Sequence, residues 1–171
     1  MESPLAIANY FIKKSLDTGE PITPMKLVKL VYLAHGWYLG LTGEPLISEG
    51  TQAWKYGPVI PSVYEEFKSY GGNPVTELAW LVSDSGQTYK YPLTEPNLTV
   101  FLDKIWEVYH QFSATDLSDL THQENSPWFD VWHKKGGSEK FGAIIPNDSI
   151  QSHYKQLAEQ NLKKGNSNAV T

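Results

Sequence analysis

Met25-Lys26-Leu27-Val28-Lys29-Leu30-Val31-Tyr32-Leu33-Ala34-His35-Gly36-Trp37-Tyr38 is the stretch on which the fold turns. Thr23-Pro24 ahead of it is a helix start, a capping hydroxyl followed by proline at the first helical position. Leu27, Leu30, Val31, Ala34, Tyr38 and Leu41 recur at helical spacing, and Val28, Tyr32 and Leu39 add a second apolar face. A helix that is apolar on two faces has to be packed on both. Gly43 is its expected stop. The spacing therefore predicts one long central helix with other elements laid around it.

Working outward, Ser3-Pro4 opens an earlier helix with the stripe Leu5, Ala8, Phe11, Ile12 and Leu16, ended by Asp17-Thr18-Gly19. After Gly43 the period changes. Pro45-Leu46-Ile47 and Thr51-Gln52-Ala53-Trp54-Lys55-Tyr56 read as two short strands around Ser48-Glu49-Gly50, and Gly57-Pro58 breaks the pattern. A third helix runs from Ser62 to Tyr70 and buries Val63 and Phe67. Residues 73–96 are rich in turn residues, with a short strand at Gln87 to Tyr91. Asn97 to Phe112 predicts a fourth helix with Leu98, Phe101, Leu102, Ile105, Val108 and Tyr109 inward. Ser113-Ala114-Thr115-Asp116 is a capping-box variant that opens a fifth, and Ser126-Pro127 caps a sixth carrying Trp128, Phe129, Val131 and Trp132. Lys134 to Phe141 reads as loop, and Pro146-Asn147-Asp148 leads into a last helix with Ile150, Tyr154, Leu157 and Ala158 buried. The expected fold is α+β and predominantly helical: a single compact domain of six to seven helices with a small antiparallel hairpin over residues 1–164, followed by a disordered tail at 165–171.

At 171 residues, one core is enough without staples. Cysteine is absent, which excludes disulfides, thiolate metal sites and cysteine nucleophiles. The opening Met1-Glu2-Ser3-Pro4 lacks the basic region of a secretory signal, and no apolar run reaches the ~20 residues of a membrane span, so a cytoplasmic location without membrane contact is expected. A net charge of −5, with no basic run longer than two residues, argues against nucleic acid as a partner. Twenty-two aromatic side chains (six Trp, ten Tyr, six Phe) exceed ordinary core needs and favour a protein-binding surface.

Chemistry is hard to place on this chain. The histidines at 35, 110, 122, 133 and 153 form no His-x-x-x-His pair and no His-Glu-x-x-His, so no metal or cofactor is expected. There is no Gly-x-Ser-x-Gly and no phosphate loop, so no catalytic residue is assigned and no enzyme is expected, although a dispersed Ser–His–Asp set leaves no sequence signature. His35 reads as a core histidine with one hydrogen bond rather than a switch. His122 reads as a cation at the C-terminal end of the fifth helix. Strand alternation puts Trp54 and Tyr56 on one face, with Ala53 and Lys55 on the other. Those two aromatics either cover the central helix or form an anchor beside a strand edge suited to a partner's strand.

The central helix, the segment Ala53-Trp54-Lys55-Tyr56-Gly57-Pro58-Val59-Ile60-Pro61, then Leu120-Thr121-His122, Ser126-Pro127-Trp128 and Ile145-Pro146-Asn147-Asp148-Ser149-Ile150 occur in this order. Together they resemble the Panacea domain of phage-associated GepA-like and SocA-like proteins, over roughly residues 5 to 160. The resemblance implies the antitoxin half of a bacterial or prophage toxin–antitoxin pair, whose partner is a cognate protein toxin encoded by an adjacent gene and neutralised by direct binding. One branch of the family instead delivers its toxin to the ClpXP protease, which is the alternative. A DNA-binding regulator and a hydrolase are weaker rivals. Leu27, Leu30, Tyr32, His35, Trp37, Gly57, Pro58, His122, Pro127 and Trp128 are then read as shared scaffold. Trp54, Tyr56 and Trp80 are the expected partner contacts, with segments 73–96 and 134–143 as further sources of specificity.

Overall fold

A computed structural model describes residues 1–165, 169 and 170. Seven helices occur among them: α1 Pro4–Thr18, α2 Pro24–Thr42, α3 Pro61–Phe67, α4 Leu98–Tyr109, α5 Ala114–His122, α6 Pro127–Phe129 and α7 Asn147–Lys163. Five short strands accompany them: β1 Thr51–Trp54, β2 Gly57–Val59, β3 Trp80–Val82, β4 Thr88–Lys90 and β5 Ala143–Ile145. The fold is α+β and mostly helical, as the sequence predicts.

The central helix is where the pattern put it. The Thr23 hydroxyl accepts from the Lys26 amide at its start, and Gly43 ends it in a left-handed conformation. Leu27, Leu30, Val31 and Ala34 are fully buried, and helices α1, α3, α4, α5 and α7 all pack on α2. Trp37 Nε1 donates to the Tyr109 hydroxyl at 2.7 Å, which ties α2 to α4 through a satisfied buried pair. The closest approach is to α7. A methyl group on Gly36 would lie 2.6 Å from Tyr154 Cδ2, and one on Gly40 would lie 2.7 Å from Tyr154 Cβ. Two glycines a turn apart thus make the seat for the Tyr154 ring, which meets Trp37 edge-on with centroids 5.1 Å apart.

The sheets depart from the sequence reading. Pro45-Leu46-Ile47 forms no strand of the hairpin; Ile47 makes a single bridge to Glu2. The hairpin is β1 against β2, in the register Ala53 to Pro58, closed by Lys55-Tyr56. Gly57 and Pro58 therefore lie in a strand, where a break was expected. Proline is tolerated there because β2 is an edge strand and needs no further amide. A third strand, β5, pairs with the other side of β1 in the register Gln52 to Ile144, so the sheet order is β2-β1-β5. Thr51 and Ala53 are the inward residues of β1, and Gln52 and Trp54 face outward. In α1, Leu16 is exposed rather than part of the buried stripe.

A second sheet, β3 with β4, stands out from the helices with all six residues exposed. Two α1-side residues hold its base. The Asn9 side chain donates to Ala79 O at 3.0 Å and accepts from Ala79 N at 2.7 Å. The buried Glu2 carboxylate accepts from Thr94 N, Thr94 Oγ1 and Glu95 N. Burial raises the carboxyl's proton affinity, but these donors outweigh it and hold Glu2 below its ordinary range. Part of the expected tail, residues 166–168 and 171, lies outside the described residues; Ala169 O accepts from Asn161 Nδ2 at 2.7 Å.

Candidate functional site

The site is the β1–β2 turn and the groove beside it. Neither turn residue, Lys55 or Tyr56, has a positive φ, so the left-handed angle falls on Gly57 at +108°. That conformation aims the carbonyls of Trp54, Tyr56 and Pro58 into the protein, where three helices collect them. Lys29 of α2 donates from Nζ to Tyr56 O at 2.7 Å and Pro58 O at 3.1 Å. Ser118 of α5 donates to Tyr56 O at 3.0 Å. Trp128 of α6 donates from Nε1 to Trp54 O at 2.7 Å. A side chain at Gly57 would collide with the Lys29 ammonium and come within 3.2 Å of Thr121 Oγ1.

Lys29 is 2% exposed. Burial pushes its ammonium down to about 7. His122, on α5, packs its ring edge-on against Trp128 at 4.2 Å and shares a 3.2 Å contact with Ser118 Oγ. Burial first, and then the Lys29 charge, depress its imidazolium, overriding the helix-end preference that the sequence suggested. His122 thus braces the turn from α5, with its proton affinity lowered.

On the outer side of the turn lies a groove of about 460 Å³. Met25, Val28, Val59 and the Lys29 side chain line it together with the rings of Trp54, Tyr56 and Tyr64. Trp54 meets the Tyr64 ring edge-on at 4.9 Å and the outlying Phe141 at 5.6 Å. Tyr56 is 60% exposed, and Phe141 is 93% exposed. Lys55 and Lys68 stand on the rim, the latter ion-paired with Glu65.

Of the expected partner contacts, the structure brings Trp54 and Tyr56 together at this groove, while Trp80 stands apart on β3 with Lys90 5.5 Å above its ring. Trp54 and Tyr56 do not share a strand face, since β1 ends at Trp54 and Tyr56 belongs to the turn. Leu27, Leu30, Tyr32, His35 and Trp37 lie in the core; Pro58, Pro127 and Trp128 are buried under or beside the turn. His35 Nε2 meets Asn147 Oδ1 at 3.2 Å, its Nδ1 has no partner among the described residues, and burial depresses its imidazolium against the Asn147 contact. Sequence reasoning missed Lys29, Met25, Tyr64 and Ser118. Lys29 carried a usable signal: a helix apolar on two faces has no solvent side left for a lysine at that position. Among the described residues no cluster of three or more His, Asp or Glu is placed to hold a metal, and no helix is long and apolar enough to cross a membrane.

The chain is 28% identical to Antitoxin SocA of Caulobacter vibrioides (strain NA1000 / CB15N) over 153 residues, covering 88% of this chain and 81% of that protein. No solved structure matches it significantly. The family model described as antitoxin SocA-like, Panacea domain, matches residues 27–129, a segment that contains Lys29, the whole turn, Ser118, His122 and Trp128. With the braced turn and most of the central helix inside the matched segment, the chain belongs to the SocA-like antitoxin family of Panacea-domain proteins.

Proposed function

We propose that this protein is an antitoxin that neutralises a cognate protein toxin by binding it directly and masking its working surface. The observation that carries the reading is the braced turn. Three inward carbonyls, held between them by side chains from three helices, fix Trp54 and Tyr56 at the mouth of an apolar groove. Rigid aromatic anchors of this kind lose little entropy on association and form the centres of tight interfaces. Trp80, half exposed on the projecting β3–β4 hairpin, is proposed as a second anchor. A stable complex on this surface buries at least about 1,000 Å².

The test is co-expression with the toxin encoded beside it. Growth is expected to be restored, the two chains are expected to co-purify, and toxin levels are expected to hold. Tyr56→Ala and Trp80→Ala are each expected to weaken the complex by about 2 kcal/mol. Restored growth with toxin that disappears only when ClpXP is present would favour delivery to the protease over masking. Failure of any neighbouring product to be toxic, or to bind, would refute the antitoxin reading.

A further inference from the structure

The Lys29 ammonium has an unfilled requirement. An ammonium offers three donors, and two of them go to the carbonyls of Tyr56 and Pro58. Among the described residues no third acceptor and no carboxylate reaches it, and burial is the sole influence on its proton affinity. A buried cation without a counter-ion is costly, and a carboxylate delivered to it offsets that cost. Lys29 is also part of the groove lining, although only 2% of it is exposed, so a segment seated in the groove lies against its side chain. The groove's other charges have the same sign. Among the described residues the Lys55 side chain has no ion-pair partner and lies over the Tyr56 ring, and the Glu65 carboxylate is taken up by Lys68. On a chain of net charge −5 this is a locally positive, aromatic-walled pocket.

We propose that the groove seats an apolar segment of the toxin that carries a carboxylate, the carboxylate pairing with the Lys29 ammonium while apolar side chains cover Met25, Val28 and Tyr64. The proposal rests on the antitoxin reading and names the part of the toxin that reading leaves open. The titratable and charged groups that share the turn and groove with Lys29 are Lys55 and Tyr56 of the turn, Tyr64 of α3 and Lys68 just after it, and His122 of α5 feels its charge. A carboxylate that enters beside Lys29 favours the charged amine, so binding draws a proton from solution when the free amine is mostly neutral.

The experiment is calorimetric titration of the purified toxin into the full chain at pH 8, in two buffers of different ionisation enthalpy. With a free ammonium at about 7, uptake of most of a proton per complex is expected. Affinity is expected to fall by up to about tenfold per pH unit above neutrality. Lys29→Met is expected to abolish the uptake. Because that change also removes two bonds to the turn, Met25→Glu serves as the variant that leaves the turn intact; Met25 is 41% exposed. It sets a carboxylate against the incoming one and is expected to weaken binding about a hundredfold. Val100→Glu, on the exposed face of α4, is expected to leave affinity unchanged. A wild-type complex that takes up no proton and is indifferent to Met25→Glu would overturn the groove assignment alone. Absence of any complex with the wild-type chain would remove the antitoxin reading and this proposal with it.

Discussion

Gly57→Ala puts the braced turn to a direct test. The substitution imposes two costs. A φ of +108° is a region that residues with a Cβ rarely adopt, worth about 1–3 kcal/mol. The added methyl also overlaps the Lys29 ammonium, which must withdraw from Tyr56 O and Pro58 O. Losing charge-assisted bonds at a buried site costs about 1.5–3 kcal/mol each, and partial relaxation brings the expected total to about 4 kcal/mol. Gly86→Ala is the control, because Gly86 also has a positive φ, of +78°, but a methyl there meets nothing within 4 Å. It is expected to cost about 1–2 kcal/mol. The assay is urea unfolding followed by tryptophan fluorescence. At a slope of about 2 kcal/mol/M, Gly57→Ala moves the midpoint down by about 2 M and Gly86→Ala by less than about 1 M. In a Lys29→Ala background, Gly57→Ala is expected to cost no more than the control, since the ammonium it displaces is gone. Equal costs for the two glycines in the wild-type background would refute the idea that Lys29 braces the turn.

Gly36→Ala is expected to destabilise the protein by about 2 kcal/mol, read as a lower urea midpoint. Helix propensity alone favours alanine by about 1 kcal/mol, so the sign of the change shows whether the Tyr154 ring is as close as described. Asn9→Ala removes both bonds to Ala79 and is expected to make residues 79–95 a preferred site of limited proteolysis, with little change in global stability. The Glu2 carboxyl is held below its ordinary value of 4.5, so its contribution is present above that pH and is lost as pH falls through the folded value. Wild type is therefore expected to lose more stability than Glu2→Gln between about pH 5 and 3, measured by thermal melts.

What the sequence made legible was local. Thr23-Pro24 and Gly43 fix the limits of α2 because caps act within a turn of themselves. The capping box at Ser113 and Asp116 was readable for the same reason. The sheet was not, since β1 pairs with a strand some ninety residues away and β5, only three residues long, has no pattern of its own. Pro58 misled because proline usually ends a strand, and only the edge position of β2 removes the objection. At the site, the aromatics Trp54 and Tyr56 were visible as residue types. The cation beneath them was signalled only as a lysine with no solvent side left to it; what it holds was not legible, because that depends on α5 and the turn closing over it.

The pairing of α2 with α7 has a consequence for how the molecule is made. The most apolar helix is synthesised early, and the helix that covers its glycine face starts roughly a hundred residues later. At elongation rates of about 5–20 residues per second, that face stays bare on the ribosome for roughly 5–20 s. During that interval Gly36, Gly40 and the edges of Tyr32 and Trp37 present an open hydrophobic trough to solvent. A nascent chain arrested before residue 147 is thus a natural client for chaperones and proteases, and the cell's supply of this protein depends on how promptly its last long helix arrives.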